Sequence, residues 1–359
     1  MAAANRNPTS ILQHLDEIPF SIPGETWRLG PKPELIKASP DRVTPPCVYF
    51  TRCGGCQLQQ MTETRQASEK QRWLVDLLKG VASEEKILPL LPSPKNWNYR
   101  RRIQLHVGPK GEVGFYAVKS RQVIDIESCA IADPALNAKL PEVRRLAAEV
   151  LAAPKRPASL SYELTLRDDG QVEIARDGEG RSFIQVNPEA NRVLIEVLRR
   201  ALDEIRPKSV LELFAGNGNL SYSLVTPERP WLAVESNPLA VEAGRATPAP
   251  EGSGVDWREG EAAKVAAQLY QSGKSFDVVL LDPPRGGAED CLPMFRQWRP
   301  PAILYVSCHV PVLRKDLQVL QKSGYEVEWL QPIDFFPQTL NLETLIYLRL
   351  NPMAHPVKK

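Results

Sequence analysis

The chain is expected to be an α/β protein: a parallel sheet with helices on both faces in its C-terminal half, behind a smaller, mainly antiparallel α+β domain. Three observations predict this class. After residue 187 short apolar strands alternate with helical segments, the grammar of a parallel sheet whose crossovers cover both faces. Residues 99–187 alternate instead with a period near two, as half-buried antiparallel strands do. A length of 359 residues allows two or three domains and a core that needs no covalent staples.

In chain order, residues 1–46 are polar and Pro-rich, with turn signals at Pro23-Gly24 and Ser39-Pro40-Asp41, and are too few for a core of their own. Residues 62–81 carry Leu74, Leu77, Leu78 and Val81 on one face of a helix. Residues 103–107, 113–116 and 161–166 read as antiparallel strands. Gly108-Pro109-Lys110-Gly111 and Asp168-Asp169-Gly170 supply turns between them. A helix over 189–204 leads to a buried strand at 210–214, with further strands at 231–234, 276–281 and 303–306. Residues 326–350 read as two strands around 334–343. The expected division is an N-terminal arm (1–46), a central domain (47–186) and a C-terminal α/β domain (187–355).

Composition removes several classes. Hydrophobic residues make 43% of the chain and charged ones 25%, which excludes disordered and fibrous proteins. No uncharged apolar run reaches the ~18–20 residues of a membrane span. The opening MAAANRNPTS has no apolar core of a secretory signal, so a reducing, cytoplasmic setting is expected. A net charge of +2 argues against a protein basic all over and leaves local patches open.

The strand Val210-Leu211-Glu212-Leu213-Phe214 runs into Ala215-Gly216-Asn217-Gly218-Asn219, a glycine turn that lets backbone approach a ligand at the carboxyl edge of the sheet. The next strand ends in Glu235, able to accept from both hydroxyls of an adenosine ribose. With no second glycine turn for a pyrophosphate, the pair fits S-adenosylmethionine better than a dinucleotide. Glu261 is positioned to face an adenine amino group or to stand as a solvated loop acid; both readings remain. Asp282-Pro283-Pro284-Arg285-Gly286-Gly287 sets a rigid exit from the fourth strand. Arg285 stands where an amine methyltransferase has an aromatic residue, which speaks against amine chemistry.

Cys47, Cys53, Cys56 and Cys129 form C-x5-C-x2-C with a distant fourth cysteine. An iron–sulfur cluster, a zinc ion and a redox pair at Cys53 and Cys56 are all chemically open. Cys291 lies outside the set and reads as a buried structural thiol. Residues 95–122 hold Lys95, Arg100, Arg101, Arg102, Lys110, Lys119 and Arg121 against Glu112 alone, a balance of +6. With Trp97, Tyr99, Phe115 and Tyr116 interleaved, they suggest a stripe for phosphates and stacked bases.

Taken in order, Cys53-Gly54-Gly55-Cys56-Gln57-Leu58-Gln59, Ile184-Gln185-Val186-Asn187-Pro188, residues 212–219, residues 282–287, Tyr305-Val306-Ser307-Cys308 and Asp334-Phe335-Phe336-Pro337-Gln338-Thr339 with Glu343 resemble the RNA uracil-C5 methyltransferases. The resemblance runs from about residue 39 to 350. It implies a Rossmann-like class I methyltransferase domain, S-adenosylmethionine as cofactor and RNA as partner of a monomeric enzyme. It further implies that Gln185, Phe214, Asn219, Glu235, Glu261 and Asp282, beside the Gly216 turn, hold the cofactor. Cys308 falls on the nucleophile, Glu343 on the general base, and the four cysteines on the ligands of a [4Fe–4S] cluster.

The chemistry needs those two residue types. C5 of uracil is a poor nucleophile until a thiolate adds to C6, and a base must then remove the C5 proton. Cluster-bearing bacterial members point to 23S ribosomal RNA as the first expectation, with transfer RNA second and a noncatalytic iron–sulfur RNA-binding protein third. Two positions depart from the family: His309 replaces the usual Asn after the nucleophile, and Asn341 replaces a His before the base. Val310 and Val312 also stand for the usual Pro and Thr. The arm of residues 1–46 resembles the end of a small RNA-binding barrel, TRAM, in truncated form.

Overall fold

The structure, a computed structural model, describes residues 20–28, 30, 33–155, 157–176 and 184–353; the expectation for residues 1–19 lies outside them. A short antiparallel pair comes first, β1 (Thr26–Arg28) with β2 (Glu34–Lys37). Helix α1 (Glu63–Leu78) begins where the Thr62 hydroxyl accepts from the Arg65 amide. Its apolar face does not stay with the central segment. Leu74 and Leu78 enter one core with residues of the C-terminal sheet.

The central sheet is antiparallel, ordered β5 (Val123–Asp125), β4 (Val113–Tyr116), β3 (Arg102–Val107), β6 (Ser161–Leu166), β7 (Val172–Arg176). Alternation along β3 buries Ile103 and Leu105. They pack against Leu140, Val143 and Ala147 of α3 (Leu140–Ala152), which follows the single turn α2 (Pro134–Asn137).

The C-terminal half builds a seven-stranded mixed sheet ordered β10, β9, β8, β11, β12, β14, β13. Strands β8 (Val210–Leu213), β9 (Trp231–Glu235), β10 (Val255–Glu259), β11 (Val278–Leu281) and β12 (Ala302–Ser307) are parallel. Strand β14 (Glu343–Leu350) runs antiparallel between β12 and β13 (Tyr325–Ile333). Every residue of β8, β11 and β12 is buried, because helices cover both faces.

Period two sorts the strand residues between two cores. Leu211, Val279, Leu281 and Ile303 face Leu269 of α7 (Ala262–Gln271), Phe295 of α8 (Leu292–Trp298) and Leu317 of α9 (Val310–Lys322). Val210, Leu280 and Leu304 face Leu194 and Leu198 of α4 (Pro188–Ile205) and Leu220 of α5 (Asn219–Leu224). Helix α6 (Pro238–Ala246) joins β9 to β10. This is a Rossmann-like class I methyltransferase fold, as expected. Among the described residues no helix is long and apolar enough to cross a membrane.

Candidate active site and cysteine cavity

The carboxyl ends of β8, β9, β11 and β12 share one edge of the sheet, and that edge gathers most of the expected residues. Phe214 leaves β8 with φ +65°, a left-handed conformation that costs an aromatic residue of order 1 kcal/mol and recurs at ligand sites. Gly218, at φ +89°, has room for no side chain: a Cβ would stand 2.6 Å from the Tyr222 ring. The Gly216 amide donates to Glu235 Oε2 at 2.9 Å. Glu235 Oε1 accepts from the Ser236 and Asn237 amides, both at 2.8 Å. Three amides therefore aim this carboxylate before any ligand arrives.

Phe214, Glu235, Glu261, Pro284 and Cys291 help line a cavity of about 280 Å³ at this edge. Glu261 lines the cavity, and it pairs with Lys264 at 2.8 Å while 65% exposed. Gln185, Gly216, Asn219 and Asp282 are not among the lining residues. Asn219 instead exchanges two amide hydrogen bonds with Asn191 of α4, at 2.8 and 3.1 Å. Cys291 is buried, as expected, yet its position against the cavity carried no signal in the sequence.

Cys308 and Glu343 sit on neighbouring strand ends. Ser307 of β12 is opposite Thr344 of β14, so the next position in each direction brings Cys308 and Glu343 to the same edge. Glu343 is buried and Cys308 half-buried. Burial, then the Glu343 and Asp282 carboxyls, push the Cys308 thiol up to about 11, with Arg285 opposing. Burial and Asp282 likewise hold Glu343 well above the usual carboxylate range, again opposed by Arg285. Asp282 is itself raised to about 7 by burial. Arg285 donates to Asn341 Oδ1 at 3.4 Å, tying the loop after β11 to the loop before Glu343. His309 buries Nδ1 with no hydrogen-bond partner among the described residues.

The segment before Glu343 is held from outside the sheet. Lys70 of α1, 1% exposed, bonds Asp334 Oδ1 at 2.7 Å and the Phe336 carbonyl at 3.0 Å. Tyr99 donates to the Pro337 carbonyl at 3.0 Å, and Asn187 to the Phe335 carbonyl at 3.0 Å. None of these pairs was legible from sequence, since their members are far apart along the chain.

Cys47, Cys53, Cys56 and Cys129, all free thiols, line one cavity of about 70 Å³ with Phe50, Phe115 and Arg100. Burial, with Cys129 and Cys53 nearby, pushes the Cys56 thiol up to about 12. Among the described residues no three His, Cys, Asp or Glu side chains close around a single metal ion.

The basic stripe needs correction. Tyr99, expected to stack on bases, is 1% exposed and belongs to the interior. Arg100 faces the cysteine cavity, Arg101 pairs with Asp168 at 2.8 Å, and Arg102 with Glu163 at 3.0 Å. The acids that neutralise these residues come from segments folded against residues 95–122. Tyr116, Lys110, Lys119 and Arg121 do stand exposed.

A family model described as tRNA (uracil-5-)-methyltransferase matches residues 266–351. An uncharacterized RNA methyltransferase of Bdellovibrio bacteriovorus is 33% identical to this chain, over 89% of it and 82% of the relative. The chain belongs to the RNA uracil-C5 methyltransferase family. As a member it is a methyltransferase enzyme that uses S-adenosylmethionine and acts on RNA. It is also similar to the 23S rRNA (uracil(1939)-C(5))-methyltransferase of Histophilus somni, 27% identical over 90% of this chain and 86% of that one. The Pyrococcus abyssi tRNA (uracil-54, C5)-methyltransferase, solved with S-adenosyl-L-homocysteine, shares the family fold. Its TM-score is 0.69 and its identity 20%, over 92% of this chain and 94% of that one.

Proposed function

We propose that the enzyme methylates C5 of a uridine in RNA through a covalent Cys308 adduct. The observation that supports this reading is the pairing of Ser307 with Thr344, which brings Cys308 and the buried Glu343 to the same edge of the sheet. With its proton released to solvent, the Cys308 sulfur bonds as the thiolate to C6, and the electron pair of the C5–C6 double bond moves to O4 as an enolate. C5 then takes the sulfonium methyl as the S–CH3 bond breaks, leaving S-adenosylhomocysteine. Glu343 accepts the C5 proton, the double bond re-forms, and the C6–S bond breaks to return the thiolate. A carboxylate raised by burial is a stronger base than a solvated one, which suits a carbon acid. Gly216, Glu235, Phe214 and Glu261 hold the cofactor in this reading, with Asp282, Asn219 and Gln185 closing around it when it binds.

The cysteine cavity suits a polynuclear group. Four thiols line one space, the all-sulfur ligand set that an iron–sulfur cluster takes. Cys47, Cys53, Cys56 and Cys129 would hold a [4Fe–4S] cluster, with the Arg100 guanidinium offsetting its negative charge. Bound there, the cluster supplies a rigid cross-link between the 47–56 segment and Cys129, because methyl transfer itself moves no net electrons.

Transfer RNA is the first substrate to test, since the matched family model is named for it. The relatives named for uracil 1939 of 23S ribosomal RNA support the second reading. We further propose the division 1–46, 47–186 and 187–355, with α1 of the central part serving the C-terminal core.

The test uses Glu343→Gln with transfer RNA and with 23S ribosomal RNA fragments. The variant should attack and methylate but not release, leaving an RNase-sensitive slow band on a denaturing gel. Cys308→Ala should give no band and no product while still binding S-adenosylmethionine. Full turnover by Glu343→Gln would move the base elsewhere, and methylation by Cys308→Ala at the wild-type rate would end the covalent reading.

A further inference from the structure

Gln57 follows Cys56 directly and faces two ways. Its Nε2 donates to the Gly54 carbonyl at 2.7 Å, between the two cysteines of the C-x2-C pair. Its Oε1 accepts from the Leu340 amide at 3.3 Å, three positions ahead of Glu343. The main-chain amides of Gln57 and Leu58 both donate to the Gln338 carbonyl, at 3.0 and 3.1 Å.

Gln338 is the residue these bonds restrain. It is 1% exposed and holds φ +69°, a conformation that costs a non-glycine residue of order 1 kcal/mol and persists only where its surroundings over-determine it. From the other side, Gln66 of α1 donates to Gln338 Oε1 at 2.9 Å and accepts from the Gln338 amide at 3.1 Å. Residues 334–342 lie between β13 and β14 with no ladder partner among the described residues. Side chains and loop amides from the N-terminal third of the chain therefore set the path by which Glu343 is delivered.

We propose that Gln57 is a positioning residue that ties the cysteine cavity to the loop delivering Glu343, so that emptying the cavity slackens the base. This rests on the reading of Glu343 as the base. A group held by Cys53 and Cys56 fixes the Gly54 carbonyl between them, that carbonyl orients the Gln57 amide, and Gln57 caps Leu340. The cavity and the base then share one restraint, and anything that loosens one end loosens the other.

Hydrogen exchange of residues 337–342 reads the tie directly. It is measured on anaerobically purified protein with its metal, on the same protein stripped with ferricyanide and a chelator, and on Gln57→Met. Exchange should rise roughly five- to tenfold in the stripped protein and in Gln57→Met, the factor for one net hydrogen bond, with β12 as protected as before. Gln57→Met should also lose kcat by a similar factor at unchanged KM for RNA, with covalent adduct accumulating. Gln57→Glu, which keeps the acceptor for Leu340, should recover most of the protection and of kcat.

Unchanged exchange at 337–342 in both the stripped protein and Gln57→Met overturns the proposal. So does a fall in kcat without adduct. If Glu343→Gln turns over normally while exchange still follows Gln57, the base reading fails. The catalytic half of the proposal then falls with it, while the mechanical tie is confirmed.

Discussion

Ser307 and Thr344 stand opposite each other on β12 and β14, and the Thr344 hydroxyl donates to the Ser307 carbonyl at 3.1 Å. The first is followed by Cys308 and the second is preceded by Glu343, so one antiparallel register determines how thiol and carboxyl meet. A slip of one residue would turn every side chain of β14 to the opposite face of the sheet. Both residues are buried, so the bond works in an interior shielded from water.

Replacing Thr344 with Val keeps the shape and removes the donor. Stability should fall by about 1–2 kcal/mol. The single-turnover methylation rate should fall about tenfold, while calorimetric affinity for S-adenosylmethionine stays within twofold. An unaltered rate would mean that the ladder alone sets the register.

Lys70 and Asp334 form an ion pair in the interior, where burial lowers the lysine below its ordinary range. Lys70→Met leaves Asp334 uncompensated and should cost about 3–5 kcal/mol in denaturant unfolding. Adding Asp334→Leu in the same chain should return much of that loss. A double variant no more stable than Lys70→Met would show that Asp334 serves the loop in some other way.

Glu212 of β8 is raised to about 8 by burial, although the Ser221 hydroxyl and the Trp231 indole both donate to it. Its folded value lies above its unfolded one, so the stability it confers is full at low pH and is lost as pH rises through about 8. The melting temperature should drop between pH 6 and pH 9, and Glu212→Gln should drop by about 2 °C less. Parallel pH curves for the two proteins would remove Glu212 from the account.

Protein purified without oxygen should be brown and carry about four irons per chain. Cys56→Ala should lose the colour and most of the metal. Stoichiometric zinc without iron, or unchanged iron in Cys56→Ala, would reject the cluster.

Much of this molecule is written in short stretches of sequence. Strands β4 and β6 fall on the expected residues, and β3, β8 and β12 within about one residue of them, because period-two burial is carried by contiguous side chains. The glycine turn after β8 is equally local: Gly216 and Gly218 adopt the positive φ that a tight exit from a parallel strand requires. Cys308 could be assigned to the sheet edge for the same reason, as the residue after an apolar run. Tertiary structure alone decided which polar groups meet. Nothing in residues 95–102 says that Tyr99 is covered by the Pro337 loop or that Arg100 turns to the cysteines. Nor does helix α1 announce that Gln66 and Lys70 grip Gln338 and Asp334. A backbone conformation is chosen by neighbours in the chain, whereas the partner of a buried polar group is chosen by whichever distant element packs over it.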